Sequence, residues 1–370
     1  MAKSLYNYQR IREYLLDLIA LRHNAPDTRL PSENQLCVKF GVSRISAKNA
    51  IARLQEEGLV YRIQGKGTFI SGEPAAVNLP SRKEGIICLL LPDFGGPFFA
   101  DIIKGCTDFF QEAGEQLFIL CVHNKRSLET QAIQMALEKG AKGFVVYPVN
   151  GENYNKELFK LVLNNFPIVL IDRIFTGFDI SSVTTDHVDA AYQATEYLIS
   201  RGKKHIGIIL PNPTRTSSLY DRVTGYEKAL STNGMPINLE ERLFLDLPAL
   251  LAPMDIPPRT FTDAIADFLK ANPQLDGLIS IGDYIGLDLY RAIRERAIQV
   301  PSQLQVIFFD NEYEQFKDML PFTPTVIAQQ TYTIGYEAAR ALTSLLENPA
   351  AGITRKQIPS KLILGQSTEG

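Results

Sequence analysis

The sequence predicts a chain in two parts: a small, mainly helical α+β region at the N-terminus and a larger, two-lobed α/β body behind it. Three observations carry that expectation. Residues 1–72 hold 11 Lys and Arg against 6 Asp and Glu, whereas the remaining 298 hold 27 against 35, so a basic arm of +5 is joined to an acidic body of −8. Within the arm, two helical patterns meet at a short Gly-containing turn. From residue 85 onward, short apolar runs alternate with helical stretches, the pattern of parallel sheets covered on both faces.

The length of 370 residues allows two or three domains, and 45% hydrophobic with 21% charged residues is a globular composition. The longest apolar runs, "IICLLL" and "LFILCV", are too short to span a membrane, and the N-terminus lacks the basic-then-apolar layout of a secretory signal. Cys37, Cys88, Cys106 and Cys121 show no CxxC pairing and no His at metal spacing. They are expected to be reduced and mostly buried in a cytoplasmic protein that holds no metal.

The arm is read in order. "YQRIREYLLDLIALR" (8–22) places Ile11, Leu15, Leu18 and Ile19 on one stripe. "PSENQLCVKF" (31–40) opens on Ser32 as an N-cap, ahead of Asn34 and Gln35. Gly41 and Val42 break the chain, and Ser43 caps a third helix running to about residue 57. Within "FGVSRISAKNAI" and beyond, Ala47, Ala50, Ile51 and Leu54 recur at three- and four-residue spacing and face inward. That leaves Arg44, Ser46, Lys48 and Asn49 outward. A helix-turn-helix presents the first residues of its second helix to base edges in the major groove. Arg forks onto guanine, Asn bridges adenine, and Ser and Lys reach phosphates. The plainer alternative is a solvated amphipathic helix in a protein-interaction domain. After Gly58, "LVYRIQGKGTFIS" (59–71) alternates like a hairpin, and its tip, Gln64 to Gly67 with Lys66 between, suits phosphates or a minor groove.

As a whole, "LPSENQLCVKFGVSRISAKNAIARLQEEGLVYRIQGKGTFIS" (30–71) resembles the winged helix-turn-helix of the GntR family. The resemblance implies contacts to double-stranded DNA from Asn34, Arg44, Lys48 and Gly67. Asn34 and Lys48 stand where Arg is frequent in that family, so the operator bases should differ from those of relatives. Ser32, Ser43, Ser46, Asn49, Gln64 and Lys66 complete the expected DNA-facing set.

"SGEPAAVNLPSRKEG" (71–85), poor in large apolar residues, reads as a linker. The expected division is therefore 1–72, a linker at 73–84, and a body at 85–370. Strand candidates in the body are 85–92, 116–122, 143–148, 167–172, 182–186, 205–210, 243–247, 277–282, 305–310 and 325–330. So many βα units exceed one doubly wound sheet, which predicts two lobes with a cleft. Ligands bind at the carboxyl ends of such strands. The tips there, "PDFGGPFF", "YPVN", "IDR", "IGDY", "FFDN" and "AQQT", mix aromatics with carboxylates, an Arg and amides. That set suits a polyhydroxylated ligand.

"LLPDFGGPFFADIIKG", "PIVLIDR", "VTTDHVDAAYQATEYLISRGKKHIGII", "DRVTGYEKAL", "VPSQLQVIFFDN" and the closing "PSKLILGQST" together resemble the ligand-binding domain of LacI-family repressors and periplasmic sugar-binding proteins. The resemblance implies a two-lobed, periplasmic-binding-protein-like fold with crossovers near 184–186, 311–330 and 355–360. It also implies Phe98 and Phe99 stacked on a sugar, and a polar ring of Asp172, Arg173, Arg222, Asp283, Asp310 and Gln330. Phe99 as plain core, and Asp172 with Arg173 as a structural ion pair, are the alternative readings. Gly95 and Gly96 replace a frequent Ser-Asn, and Gly282 replaces a frequent Asn. The lost amides point away from ribose and common hexoses, while pentoses and deoxyhexoses fit.

An enzyme is the competing class. No GxGxxG follows the first strand of the body, no P-loop or GxSxG appears, and His23, His123, His187 and His205 form no HxH or HExxH grouping. The expected function is a sugar-responsive transcription factor without cofactors, a repressor in the first reading and a sugar-dependent activator in the second. The expected partners are a palindromic operator, a monosaccharide effector and a second copy of the chain; no membrane is involved.

Overall fold

The computed structural model describes residues 11, 14–16, 18–19, 28–56, 59–63, 66–70, 85–149, 155–175, 178–212, 216–246, 260–310, 321–348 and 352–369. The expected linker at 73–84 and the wing-tip Gln64 lie outside these residues, and Asp283 is described in its backbone alone.

In the N-terminal head, Ile11, Leu15, Leu16 and Ile19 are buried. Leu18, placed on the inward stripe by spacing, is only half buried, and Leu16 takes the core position instead. Helix α1 (Glu33–Phe40) opens with a capping box. The Gln35 N–H donates to Ser32 Oγ at 3.3 Å, and the Ser32 N–H donates to Gln35 Oε1 at 2.8 Å. It stops at Gly41, whose φ of +64° is a left-handed turn that glycine adopts without a Cβ clash. Helix α2 (Arg44–Glu56) buries Ala47, Ala50, Ile51 and Leu54, as their spacing predicts. Strands β1 (Val60–Ile63) and β2 (Gly67–Ile70) then pair antiparallel, with Val60 opposite Ile70 and Ile63 opposite Gly67. Arg29 adds a short bridge to Phe69 on the outer side of β2.

The first lobe of the body contains β3 (Ile86–Leu91), α3 (Gly96–Glu112), β4 (Leu117–Cys121), α4 (Arg126–Glu138), β5 (Ala141–Val146), α5 (Lys156–Leu163), β6 (Ile168–Ile171) and β7 (Ser181–Thr185). The second contains α6 (His187–Ser200), β8 (Ile206–Pro211), α7 (Ser217–Thr232), β9 (Arg242–Leu245), α8 (Thr262–Ala271), β10 (Gly277–Ser280), α9 (Asp283–Glu295), β11 (Gln305–Phe309) and β12 (Thr325–Ala328). The chain then returns through α10 (Thr331–Glu347) and β13 (Arg355–Ile358) to the first lobe, and ends with β14 (Lys361–Ile363) on the second.

Among the described residues the two sheets have the same layout. Their strand orders are β4-β3-β5-β6-β7-β13 and β9-β8-β10-β11-β12-β14. All pairs in the two are parallel except β12 with β14. Inner strands such as β5, β6, β8 and β11 are buried along their whole length, which is why they read as unbroken apolar runs. All ten strand candidates appear, shifted by a residue or two. β13 and β14 were not among them: "RKQI" and "KLI" are short edge strands that expose alternate residues.

Doubly wound sheets bind ligands where the strand order reverses. Here that point lies between β3 and β5 in one lobe, and between β8 and β10 in the other. The chain crosses between the sheets three times, after Thr185, at residues 329–330 and at residues 359–360. Hydrogen bonds join these crossings, Thr185 to Gln329 and Gln330 to Pro359.

Helix α3 leaves the first switch point and packs across α10, which starts at the second crossing. Gly105 and Gly335 let the backbones meet: a Cβ on Gly105 would lie 2.1 Å from the Tyr332 carbonyl oxygen, and one on Gly335 would lie 2.2 Å from that of Ile102. Neither obstacle is a side chain that can swing away. Gly335→Ala is therefore expected to destabilise the body by about 1–3 kcal/mol, as overpacked sites do. A urea or thermal unfolding curve unchanged from wild type would contradict this packing.

Candidate functional site

Two groups of side chains stand out, one on the head and one between the lobes. On the head, Arg44, Lys48 and Asn49 of α2 are exposed, Ser46 is half buried, and Asn34 of α1 is exposed beside them. Lys66 is exposed at the start of β2, next to Gly67. Ser32 and Ser43 are exposed too, but their hydroxyls already cap helices: Ser43 Oγ accepts from the Ser46 N–H at 3.3 Å.

Sequence reasoning did not single out the residue that orders this face. Glu33 accepts a hydrogen bond from Arg44 Nε at 3.2 Å and a second from Arg62 on β1. Its side chain is 10% exposed, against 74% for Arg44, so the carboxylate sits under the face and the guanidinium stands on it. Burial alone would raise the Glu33 carboxyl. The hydrogen bonds from Arg62 and Arg44 outweigh burial and hold it below its ordinary value. Recognition helix and wing are thereby tied through one anion. The "PSE" of the sequence was the available signal, but its Glu pairs with an Arg 29 residues away, which spacing does not reveal.

Between the lobes, Phe98 and Phe99 open α3 at the first switch point. Their ring centroids lie 5.2 Å apart and at 6.1 and 5.5 Å from Tyr147, which follows β5. Tyr147 donates to Asp172 Oδ2 at 2.6 Å, and burial keeps its phenol protonated far above the ordinary range. Arg173 lies 4.7 Å from the Tyr147 ring and donates to the Pro148 carbonyl at 2.9 Å.

Asp172 also reaches toward the second lobe. Its Oδ1 lies 3.3 Å from His187 Nε2, and the Nδ1 of the same imidazole accepts from Arg222 Nε at 3.4 Å. That geometry requires a neutral imidazole with its hydrogen on Nε2. Arg222, on α7, is 6% exposed and stacks 4.9 Å over the Phe309 ring. Burial pushes the Asp172 carboxyl up, but the His187 hydrogen bond and the positive fields of Arg173 and Arg222 win and hold it well below the usual range. Arg173 Nε is buried without a hydrogen bond, which leaves polar capacity at the cleft.

Asp310 occupies the matching position after β11. It accepts from the Gln329 amide, whose oxygen in turn accepts from Thr185 Oγ1 at 2.5 Å. Gln330, the residue expected in the polar ring, donates to the Pro359 carbonyl at 2.7 Å and so binds two crossings together. The structure thus links Phe98, Phe99, Asp172, Arg173 and Arg222 through Tyr147 and His187, and brings Gln329 to Asp310. Asp283 follows β10 at the second switch point. Tyr147 and Gln329 stood within tips quoted from the sequence. His187 follows the Asp186 cap at the first crossing, but nothing in its spacing points to Asp172. Among the described residues, no group of His, Cys, Asp and Glu could hold a metal ion. No helix there is long and apolar enough to cross a membrane. The four cysteines are free; Cys88 and Cys106 are buried and pushed up to about 12 by burial, while Cys37 and Cys121 are half buried.

Comparison with known proteins gives two family matches. Residues 84–365 match periplasmic binding proteins and the sugar binding domain of the LacI family. Residues 7–70 match bacterial regulatory proteins of the gntR family. An "Arabinose metabolism transcriptional repressor" from Geobacillus stearothermophilus is 23% identical over 93% of this chain and 92% of its own length. Its namesake from Halalkalibacterium halodurans is 26% identical over 92% and 89%. Among solved structures, a "transcriptional regulator CelR-cellobiose complex" superposes with TM-score 0.67 at 20% identity, over 88% of this chain and 91% of that one. The transcription regulator CcpA of Lactococcus lactis gives 0.67 at 21%, over 77% and 99%.

Removing the Asp172 charge strands two guanidinium groups and an imidazole. Asp172→Asn is expected to unfold about 3 kcal/mol more easily, the cost of breaking a buried charge pair from one side. The pH dependence has a definite sign. A carboxyl held below its unfolded value of 3.8 stabilises fully above that pH, and the contribution fades as pH falls through the lower folded value. Urea unfolding at several acid pH values should show this loss in wild type and not in Asp172→Asn; parallel profiles would contradict the network.

Proposed function

The chain belongs to the family of periplasmic binding proteins and LacI-type sugar-binding domains and carries a gntR-family head, and on that footing we propose that it is a transcriptional repressor whose hold on an operator is controlled by a carbohydrate bound between its lobes. The observation that carries this reading is the convergence at the cleft. Phe98 and Phe99 at the first switch point meet Tyr147, which joins Asp172 and Arg173, and Asp172 is linked through His187 to Arg222 of the second lobe. Rings stack on sugar C–H faces, while Arg, Asp and Gln bond to hydroxyls. Arg173 and Arg222 stand against Asp172, Asp283 and Asp310, so the site has no surplus of positive charge and suits a neutral sugar. The names of the relatives make arabinose the first sugar to test, and Gly95, Gly96 and Gly282 in place of amides agree with a pentose. The protein is a regulator and not an enzyme, like the named relatives that span nine-tenths of it.

Phe98, Phe99, Asp172, Arg173, Arg222, Asp283, Asp310 and Gln330 are the proposed sugar contacts, Gln330 also joining two crossings. Asn34, Arg44, Ser46, Lys48, Asn49, Gln64, Lys66 and Gly67 are the proposed DNA contacts, together with Ser32 and Ser43, whose hydroxyls also cap helices. Residues 73–84 are taken as the division between head and body, and the cytoplasm as the place where the operator is met. A second copy completes the assembly. The edge strands β4 and β9 expose Phe118, Ile119 and Phe244, with Leu239 beside them 76% exposed. Paired across a two-fold axis, these edges would cover each other and set two heads on a palindromic operator. Sugar then closes the cleft, changes the angle between lobes and misplaces the heads.

Arg44→Ala should weaken specific operator binding by one to two orders of magnitude, the worth of a bidentate base contact, and leave sugar affinity unchanged. Arg173→Ala and Asp310→Ala should bind operator normally but fail to release it when sugar is added. Fluorescence anisotropy on a labelled operator measures both. Intact specificity in Arg44→Ala, or a normal sugar response in both cleft variants, would contradict the assignment. Operator affinity should also fall steeply with salt, as phosphate contacts demand. A thermal-shift screen of monosaccharides identifies the effector, because a ligand of the folded state raises its melting temperature.

A further inference from the structure

We propose that Ile45 reads the methyl group of one thymine in each operator half-site; the assignment rests on the DNA-binding reading of the head. Ile45 is the second residue of α2 and is 71% exposed, an aliphatic side chain set between Arg44 and Ser46 on an otherwise polar face. The core has no use for it. Ala47, Ala50, Ile51 and Leu54 fill the inward stripe of the same helix and are all buried. Helix stability does not call for it either, since a β-branched residue at an exposed helical position is a poorer helix former than Lys, Gln or Arg.

Its position is informative. Residues three and four apart share a helix face, so Ile45 stands one turn before Lys48 and Asn49. Helical side chains lean toward the N-terminus, the end that enters the major groove in a helix-turn-helix. Arg44 beside it donates to Glu33, which anchors this first turn of α2 to α1. In the major groove the thymine C5-methyl is the apolar group that distinguishes one base from the others, and an aliphatic side chain is its natural partner.

The contact is small and separable. Enclosing one methyl group is worth roughly fourfold in affinity per half-site. The operator is first obtained by selecting random duplexes with the full-length protein, and each of its thymines is then replaced in turn by deoxyuridine, which removes the methyl group alone. Wild type should lose about fourfold at one thymine per half-site. Ile45→Ala should bind more weakly and be indifferent to uracil there, while Ile45→Val should retain part of the discrimination. Because the side chain is exposed, these variants leave the fold intact. Uracil tolerated at every thymine by wild type would overturn the proposal. So would a uracil penalty that persists in Ile45→Ala, or an Ile45→Ala defect equal on thymine and uracil operators, which would place the residue against a second head. If selection enriches no sequence, the DNA-binding reading itself fails and this assignment falls with it.

Discussion

Two aspartates in left-handed backbone hold the body together. Asp172 follows β6 with φ +62°, and Asp310 follows β11 with φ +73°. Asp tolerates this conformation better than most residues, yet it is still a cost that the surroundings must offset. In both cases the return is a bond that leaves the residue's own sheet. Asp172 binds His187 at the first crossing and, through it, Arg222 of the opposite lobe. Asp310 binds Gln329 at the second crossing and, through it, Thr185 of the opposite sheet. The lobes are tied twice, by mirror-like links at equivalent positions.

The ties also define what a ligand meets. The rings of Phe98 and Phe99 sit at the head of α3, and α3 is locked to α10 at Gly105 and Gly335. Helix α10 starts next to Gln330, which binds the third crossing through Pro359. A sugar stacked on these rings and bonded to Asp172 and Arg173 would therefore press on the elements that set the angle between lobes. That is the physical content of the proposed control: differential contacts in open and closed forms, transmitted by rigid helices rather than by a flexible path.

Much of this was legible in the sequence. The apolar runs marked the inner strands, because buried parallel strands are apolar on both faces, and the alternation with helical stretches brought out the remainder of the ten. Ala47, Ala50, Ile51 and Leu54 gave the inward side of α2 because helical spacing is local information. The first helical pattern was read less well: spacing favoured Leu18, whereas packing chose Leu16. What spacing could not supply were partners distant in the chain. Glu33 with Arg62, Asp172 with His187, and Thr185 with Gln329 are joined by folding alone. The neighbours Gln329 and Gln330 show the limit most clearly. Both stand in "AQQT" between β12 and α10, and only the turn into that helix decides that one faces Asp310 and the other Pro359. β13 and β14 escaped notice because short edge strands expose half of their residues and carry little apolar signal.

The central claim is that sugar and operator are read by one coupled molecule. Linkage makes the coupling reciprocal, so the factor by which sugar weakens operator binding must equal the factor by which operator weakens sugar binding. The decisive measurement is a calorimetric titration of the full-length protein with arabinose, or with whichever monosaccharide raises its melting temperature most, in the absence and presence of saturating operator. The account predicts a sugar affinity lowered by operator by a factor of about 5–150, the usual range of such couplings, and matched by the operator's own loss when sugar is present. A sugar affinity indifferent to operator would contradict it.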